Sequence, residues 1–241
     1  DDGTGGAIEH IAFLGTHLRQ VPAPQPFRRE LDGGQGILDL VGEAPRHLDL
    51  APRPSETPSP RAAISLGVLG AGQFAGGVLL PALANLPAVE RVGICAATGV
   101  KAGDAGRRFG FRFATTSEEE ILEHPEIDTV VIATRHHLHA RQVIAALAAG
   151  KNVFVEKPLC LTLEELAAIE SAIKDKPTRL MVGFNRRFSP MVVRMKKLVA
   201  TTASPRSMIM TVNAGSIPDD HWIRDPEVGG GRIVGEACHF V

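Results

Sequence analysis

Residues 64–75 carry the feature that most limits how this chain can fold. A short apolar run, Ile64–Leu69, has the length of a buried strand and leads into two glycines, Gly70 and Gly72, after which a helical stretch begins near Phe74. The pattern Gly70-x-Gly72-x-x-Ala75 is the alanine-ended form of the dinucleotide-binding fingerprint. Gly70 permits a tight turn, Gly72 lets a pyrophosphate approach the backbone, and Ala75 keeps the helix close to the sheet. The segment predicts a phosphate site at the edge of a parallel sheet.

The rest of the chain up to residue 183 alternates in the same way. Further strands are predicted at 91–96, 129–133, 152–155 and 179–183, and helices at 117–122, 140–149 and 163–173. Ser117 with Glu120 has the spacing of a capping box, Thr162 is an N-cap, and Gly150 is a C-cap. This alternation predicts an α/β fold with a doubly wound parallel Rossmann sheet, followed by the start of an α+β second domain.

Composition shifts divide the chain into four parts. Residues 51–62, APRPSETPSPRA, have the prolines of an extended linker. Residues 1–50 are unassigned: they are either the tail of an upstream domain or an extension, and their glycines break any long periodicity. We expect the Rossmann domain at 63–185 and an incomplete substrate domain at 186–241.

The overall charge excludes some classes of partner. The formal net charge is −1, so we expect neither nucleic acid nor an anionic membrane surface as a partner. The best candidate for a membrane span is interrupted by Pro81, Asn85 and Pro87.

The cysteines indicate a reducing compartment. Cys95, Cys160 and Cys238 are odd in number and widely spaced, which fits neither a disulfide framework nor a zinc knuckle. The chain as given also begins without a basic and apolar leader. We expect a cytoplasmic protein with three reduced thiols.

The end of the second strand bears on the choice of nucleotide. An acidic residue normally stands there and binds the ribose 2′-hydroxyl of NAD. This chain reads CAATGVK over 95–101, without an acid. Thr98 and Lys101 could meet a 2′-phosphate, which favours NADP over NAD, although Lys101 could equally be a solvated surface lysine.

Residues 128–159 read DTVVIATRHHLHARQVIAALAAGKNVFVEKPL. With the glycine turn, Ala133-Thr134, His139 and Glu156-Lys157-Pro158 form a spaced combination that closely resembles the glucose–fructose oxidoreductase/inositol dehydrogenase (Gfo/Idh/MocA) family, over roughly residues 65–241. The resemblance implies a Rossmann domain followed by a domain with an open, mostly antiparallel sheet. It also implies hydride transfer between NAD or NADP and a carbinol or carbonyl of a sugar, nucleotide sugar or cyclitol.

The resemblance assigns roles to individual residues. Lys157 matches the catalytic lysine, which would exchange a proton with the reacting oxygen, and Glu156 would lie by the cofactor. Arg187 could hold the cofactor or a substrate anion, or be a solvent-exposed arginine. His139 recurs in the family and is also suited to packing or hydrogen bonding. The cofactor contacts expected in all are Gly70, Gly72, Gln73, Phe74, Ala75, Thr98, Lys101, Thr134, His139, Glu156, Lys157 and Arg187.

The histidine cluster His136, His137 and His139 raises the question of a metal. No distant set of cysteines or carboxylates completes a tetrahedral site at a recognisable spacing, so we expect no metal.

Residues 221–227, HWIRDPE, resemble the family segment that precedes a triple glycine. They imply that Trp222 and Arg224 contact substrate. A helix with an acid and, four residues later, a histidine normally follows; here the histidine position is His239, a second catalytic residue, but the acid position is Gly235. Glu236 does not replace that acid, because one residue is about 100° around a helix.

We expect this chain to be a fragment of a protein that forms homo-oligomers when full length and acts on a small, sugar-like substrate. A second hypothesis is a non-catalytic NADP-binding sensor with a regulatory partner. The presence of Lys157 and His239 favours the enzyme.

Overall fold

The computed structural model describes residues 46–50, 64–201, 207 and 209–240. The predicted linker, 51–62, and most of the segment 1–50 lie outside the described residues.

The described part of the chain contains a seven-stranded sheet of order β1-β4-β3-β2-β5-β6-β7. The strands are β1 His47–Asp49, β2 Ile64–Leu69, β3 Val89–Cys95, β4 Phe113–Thr115, β5 Thr129–Ile132, β6 Asn152–Val155 and β7 Leu180–Val182. All neighbouring pairs are parallel except β1 with β4. The prediction of a doubly wound parallel sheet is confirmed.

Helices connect the strands. After β2 a π-helical segment, Ala75–Leu79, continues as α1, Leu80–Ala84. The others are α2 Gly99–Phe109, α3 Glu118–Leu122, α4 His136–Ala148, α5 Leu163–Ile173, α6 Pro190–Ala200 and α7 Gly231–Glu236. Three short 3-10 segments lie at Asn185–Phe188, Trp222–Arg224 and Ala237–His239.

The two predicted N-caps differ in outcome. Thr162 and Glu165 form a reciprocal capping box at the start of α5, as the Thr162 cap predicted. The capping box at Ser117 is wrong: Ser117 makes no side-chain cap and donates its hydroxyl to Glu119 instead. The Ser117 amide, which the capping box would pair with Glu120, donates to Thr115 Oγ1 at 3.0 Å, and the Glu120 carboxylate lies 2.5 Å from His47 Nδ1.

The edge strand β1 was not predicted. His47, Leu48 and Asp49 pair antiparallel with β4. Leu50 follows them into the core, where it occupies the space that a side chain on Gly106 would need. Residues 47–49 therefore belong to the same sheet as the strands of the Rossmann domain, whose predicted start was residue 63.

The sheet separates two apolar cores. On β5, Val130 and Ile132 face one core and Val131 faces the other, as expected when successive side chains point to opposite faces. A sheet covered on both faces explains why its strands read as continuous apolar runs.

Beyond β7 the described residues form helices and irregular chain but no strand, so the α+β character of a second domain stays a prediction. No helix in the described ranges has the length and apolar character required to cross a membrane.

Candidate active site

One row of the sheet brings the predicted site residues together. Leu69 pairs with Cys95 on one side and with Ile132 on the other, and Ile132 pairs with Val155. All four residues are the last of their strands. Gly70, Thr134 and Lys157 therefore leave the sheet at the same carboxyl edge, which is where ligands bind in open parallel sheets.

The glycine turn has the shape that a pyrophosphate needs. Gly70 has φ +103°, and a Cβ on it would lie 2.5 Å from the Ala133 carbonyl oxygen. A Cβ on Gly72 would meet nothing within 4 Å, so the space above that residue is open. Gly70 is thus required by the fold, whereas Gly72 is required only if something approaches from outside.

The residues after the turn separate into exposed and buried ones. Gln73 and Phe74 are exposed, with 41% of Phe74 accessible. Ala75 is buried, so it keeps the helix close to the sheet, and its contact with a cofactor stays a prediction. The amide groups that open a helix have no intrahelical acceptor, so those exposed at this turn can donate to phosphate oxygens.

Thr98 and Lys101 open the helix that follows β3. Thr98 is the N-cap of α2, and its hydroxyl oxygen accepts from the Lys101 amide at 3.4 Å. Both residues are exposed. Thr98 comes three residues after the last residue of β3, at the same carboxyl edge as the glycine turn.

The Thr134 hydroxyl is anchored by a buried amide. Its hydroxyl donates to Gln142 Oε1 at 2.6 Å, and its carbonyl oxygen lies 3.2 Å from His139 Nε2. The side chain is half-buried, so Thr134 stands beside the glycine turn in a fixed orientation.

His139 is completely buried, which suits a packing or hydrogen-bonding residue, and its contact with the cofactor stays a prediction. Its Nδ1 lies 2.7 Å from the Pro158 carbonyl oxygen, and its Nε2 faces Thr134. Burial lowers the pKa of His139, so the ring is neutral near pH 7 and donates one hydrogen bond. His139 thus packs between the segment after Lys157 and the segment after β5, with a hydrogen bond to one of them.

Glu156 is a buried acid directly after β6. Only 9% of the residue is exposed, and a Cβ on Gly183 would lie 3.0 Å from its Oε1. Burial raises the pKa of Glu156 to about 7, against an opposing effect from the Lys157 charge. The fold therefore holds this carboxyl close to its point of half-protonation at neutral pH.

Replacing Glu156 by glutamine will change how stability depends on pH. In the wild type the folded carboxyl keeps its proton up to pH about 7, whereas the unfolded one loses it near 4.5. The unfolded state binds fewer protons in that window, so the wild-type free energy of unfolding falls as pH rises. Between pH 4.5 and 8 the free energy of unfolding of Glu156→Gln should therefore rise by about 3 kcal/mol relative to that of the wild type.

Urea unfolding of both proteins at several pH values measures this difference. Glu170→Gln, an exposed acid on α5, is the control and should run parallel to the wild type. A Glu156→Gln curve that is also parallel would mean that the carboxyl is not destabilised by burial.

The Lys157 ammonium reaches across to the second part of the chain. Its Nζ donates to the Gly235 carbonyl oxygen at 2.7 Å, and the side chain is half-buried. The following peptide bond to Pro158 is cis. The family's acid position is therefore filled by a backbone carbonyl, and a Cβ on Gly235 would lie only 3.0 Å from Ile223.

His239 lies in the electrostatic field of Lys157. Burial, together with the positive charges of Lys157 and Arg186, lowers the pKa of His239 to about 4. Its Nδ1 is buried without a hydrogen-bond partner among the described residues. The ring packs edge-on to Phe184.

Trp222 docks the second part of the chain onto α4. Its indole packs edge-on against the His136 ring at a centroid distance of 4.8 Å, and the Arg135 guanidinium lies 5.8 Å from it. His136 Nδ1 lies 2.8 Å from the Gly229 carbonyl oxygen. Burial lowers the pKa of His136 to about 4, so this contact is made by a neutral ring.

The two predicted arginine sites are less well supported. Arg224 pairs with Asp219 and donates to the Ile217 carbonyl at 3.2 Å, so its guanidinium is already engaged within its own loop. Arg187 is exposed on the 3-10 segment after β7 and makes no ion pair within the described ranges. Its neighbour Arg186 stacks over Phe240.

The histidine cluster is explained by packing. His136 and His137 face the carbonyls of residues 229 and 228, and His139 faces two more carbonyls. In the described parts of the chain, no three His, Cys, Asp or Glu side chains are grouped so that they could hold a metal ion. Cys95, Cys160 and Cys238 are free thiols.

Sequence reasoning missed the buried partners of Thr134. Gln142 is fully buried and donates to Glu118 Oε1 at 2.7 Å. The only sequence signal was a glutamine on the apolar face of an alanine-rich helix, eight residues after Thr134.

Residues 64–184 match the family model GFO_IDH_MocA, "Oxidoreductase family, NAD-binding Rossmann fold". The chain belongs to this family. The Gfo/Idh/MocA match covers all of the glycine turn, Thr134 and Lys157, which the sheet brings to one edge.

Levoglucosan dehydrogenase of Pseudarthrobacter phenanthrenivorans is 42% identical over 125 residues, which are 52% of this chain and 31% of that protein. The scyllo-inositol 2-dehydrogenase (NAD(+)) of Bacillus subtilis is 37% identical over 99 residues, 41% of this chain and 29% of that protein. A solved structure titled "Levoglucosan dehydrogenase, complex with NADH" superposes with a TM-score of 0.65 at 34% identity, covering 73% of this chain and 52% of that one. The chain thus matches about a third to a half of the length of these Gfo/Idh/MocA relatives.

Proposed function

We propose that this chain supplies the cofactor domain and the proton-transfer lysine of an NAD(P)-dependent oxidoreductase. The observation that carries the proposal is the shared sheet edge. Lys157 follows β6 at the same carboxyl edge at which the glycine turn follows β2, and its Nζ donates to the Gly235 carbonyl. The reaction is hydride transfer between the nicotinamide and a carbinol or carbonyl of the substrate.

The residues present fit a dinucleotide. The open space above Gly72 admits a pyrophosphate, and Gln73 and Phe74 are exposed beside it. Thr98 and Lys101 would hold the adenosine ribose, and Thr134, Glu156 and Arg187 the remaining part. The bound nicotinamide supplies the hydride chemistry.

Lys157 would handle the proton. Its ammonium has three N–H donors, of which one is used by Gly235, so another can donate to a substrate oxygen. In the oxidative direction the amine accepts the hydroxyl proton, and in the reductive direction the ammonium returns it. His239, whose Nδ1 has no protein partner in the described structure, would bind a second substrate hydroxyl, and Trp222 would close one side of the site.

The relatives support a sugar-like or cyclitol substrate. The names of the two dehydrogenases refer to levoglucosan and scyllo-inositol, an anhydro sugar and a cyclitol. Rings that carry several hydroxyls suit a site in which a lysine and a histidine offer donors and acceptors. Screening sugars, nucleotide sugars and cyclitols with the full-length protein, by the absorbance of the reduced nicotinamide, tests the proposal directly.

We also propose that NADP binds more tightly than NAD, because no acid follows β3. Thr98→Asp should shift the ratio of the two dissociation constants toward NAD by about tenfold, equivalent to about 1.4 kcal/mol of repulsion between the carboxylate and the 2′-phosphate. Aspartate is also a good N-cap, so α2 should remain intact. Calorimetric titration with both nucleotides measures the shift.

Ser189→Asp is the control, because it places the same charge at the N-cap of α6, and it should leave the ratio unchanged. Tighter binding of NAD than NADP by the wild type would refute the preference. The levoglucosan dehydrogenase structure is titled as a complex with NADH, and the scyllo-inositol dehydrogenase is named for NAD(+). A preference for NADP would distinguish this chain from those two relatives.

The non-catalytic sensor remains a distinct outcome of the substrate screen. Tight nucleotide binding without turnover of any substrate would favour it. A cytoplasmic location and a homo-oligomeric full-length protein stay predictions.

A further inference from the structure

A row of polar side chains runs from the cofactor edge through the buried Gln142 to Glu118 and Arg141, which are partly exposed. Thr134 Oγ1 lies 2.6 Å from Gln142 Oε1, and Gln142 Nε2 lies 2.7 Å from Glu118 Oε1. Arg141 pairs with the same carboxylate, with Nη2 2.9 Å from its Oε2. This row of side chains links the end of β5, helix α4 and the first residue of α3.

The Glu118 carboxylate fixes the direction of the hydrogen bonds along this row of side chains. A carboxylate paired with arginine can only accept hydrogen bonds, so Gln142 must turn its NH₂ group toward Glu118. Its carbonyl oxygen then faces Thr134. Because that oxygen can only accept, the Thr134 hydroxyl must donate its single hydrogen inward.

This direction decides what the Thr134 hydroxyl can offer to a ligand. Once its hydrogen is committed, Thr134 Oγ1 can offer only lone pairs to a ligand. Thr134 is held beside the glycine turn, since a Cβ on Gly70 would lie 3.0 Å from the Thr134 amide nitrogen. Gln142 is 0% exposed and cannot touch a ligand itself.

We propose that Gln142 is a positioning residue of the dinucleotide site, which commits the Thr134 hydroxyl hydrogen inward so that the oxygen accepts a hydrogen bond from the cofactor. The inference rests on the proposed function. It deepens that proposal by naming the donor and acceptor sense of one contact, which a ribose hydroxyl or the carboxamide NH₂ of NAD(P)H would satisfy.

The test is a double-mutant cycle on nucleotide affinity. Thr134→Val removes the acceptor and Gln142→Leu removes the group that orients it. Each should weaken NADPH binding by about 3- to 10-fold, the size expected for one hydrogen bond. The double variant should bind no more weakly than Thr134→Val alone, because Gln142 acts only through Thr134.

A merely structural role gives a different pattern. Gln142→Leu would then lower the melting temperature and leave the dissociation constant unchanged, which would overturn the inference. Multiplying effects in the double variant would also overturn it, as would unchanged affinity in Thr134→Val.

A second variant guards against misfolding of Gln142→Leu. Glu118→Gln keeps the shape of the side chain at this position but lets its amide and that of Gln142 reverse their hydrogen bonds. We therefore expect NADPH binding to weaken by about 2- to 3-fold, an effect that vanishes in the Thr134→Val background. Glu119→Gln, an exposed neighbour on the same helix turn, is the matched control. Glu118→Gln with the affinity of the control would overturn the inference. If the wild type binds neither NADH nor NADPH, the proposed function itself fails.

Discussion

Replacing Lys157 by methionine will lower the turnover of the full-length protein by about 10²- to 10⁴-fold, the range for loss of a general acid–base group. Methionine has nearly the same length and keeps the apolar stem of the side chain, so the site should keep its shape. Affinity for NADPH should stay nearly unchanged, because the proton is transferred at the substrate. Turnover with a screened sugar or cyclitol and nucleotide titration measure the two effects separately.

Two further substitutions sharpen this experiment. Lys157→Arg keeps the positive charge but should not restore turnover, because a guanidinium does not give up its proton near neutral pH. Lys174→Met makes the same change at an exposed lysine and should be silent. If Lys157→Met retained most of its turnover, the lysine would be a structural residue that holds the Gly235 segment.

Gly72→Val will abolish tight nucleotide binding while leaving the fold intact. The space around a Cβ at this position is empty in the protein, so the valine side chain meets no protein atom at its first carbon. It would occupy the place where the pyrophosphate approaches the backbone. We expect the dissociation constant for NADPH to rise by at least about 100-fold, equivalent to about 2.7 kcal/mol.

Gly77→Val is the matched control for this substitution. Gly77 is exposed in the same helical segment, and a Cβ there also meets nothing within 4 Å. It should bind NADPH like the wild type, since it lies a full turn beyond the phosphate site. Equal affinities for wild type and Gly72→Val would refute the assignment of the glycine turn, provided that the far-ultraviolet spectrum shows a folded protein.

The sequence was most informative where local rules determine the structure. The strand 152–155 was predicted to the residue, because a short apolar run stands between Gly150 and a charged pair. The turn at Gly70 was predictable because the backbone conformation and the close approach of Ala133 both require glycine there.

Contacts between distant parts of the chain were not predictable. β1 has only three residues without apolar alternation, and it exists because its backbone pairs with β4. The acceptor of Lys157 is a backbone carbonyl 78 residues away, and a carbonyl leaves no signature in the sequence. At Ser117 the glutamate that the capping box needed contacts the distant His47, and the Ser117 amide donates to Thr115 instead.

The docking of residues 221–239 onto α4 sets a condition on engineering new specificities by chimera. A crossover placed after β7 would replace Trp222 and Gly235 but keep His136 and Lys157, whose side chains contact them. The foreign segment would then meet an imidazole and an ammonium shaped for other neighbours. Libraries that exchange residues 136–157 together with 221–239 would preserve both contacts, so these two separated stretches should be exchanged as a pair.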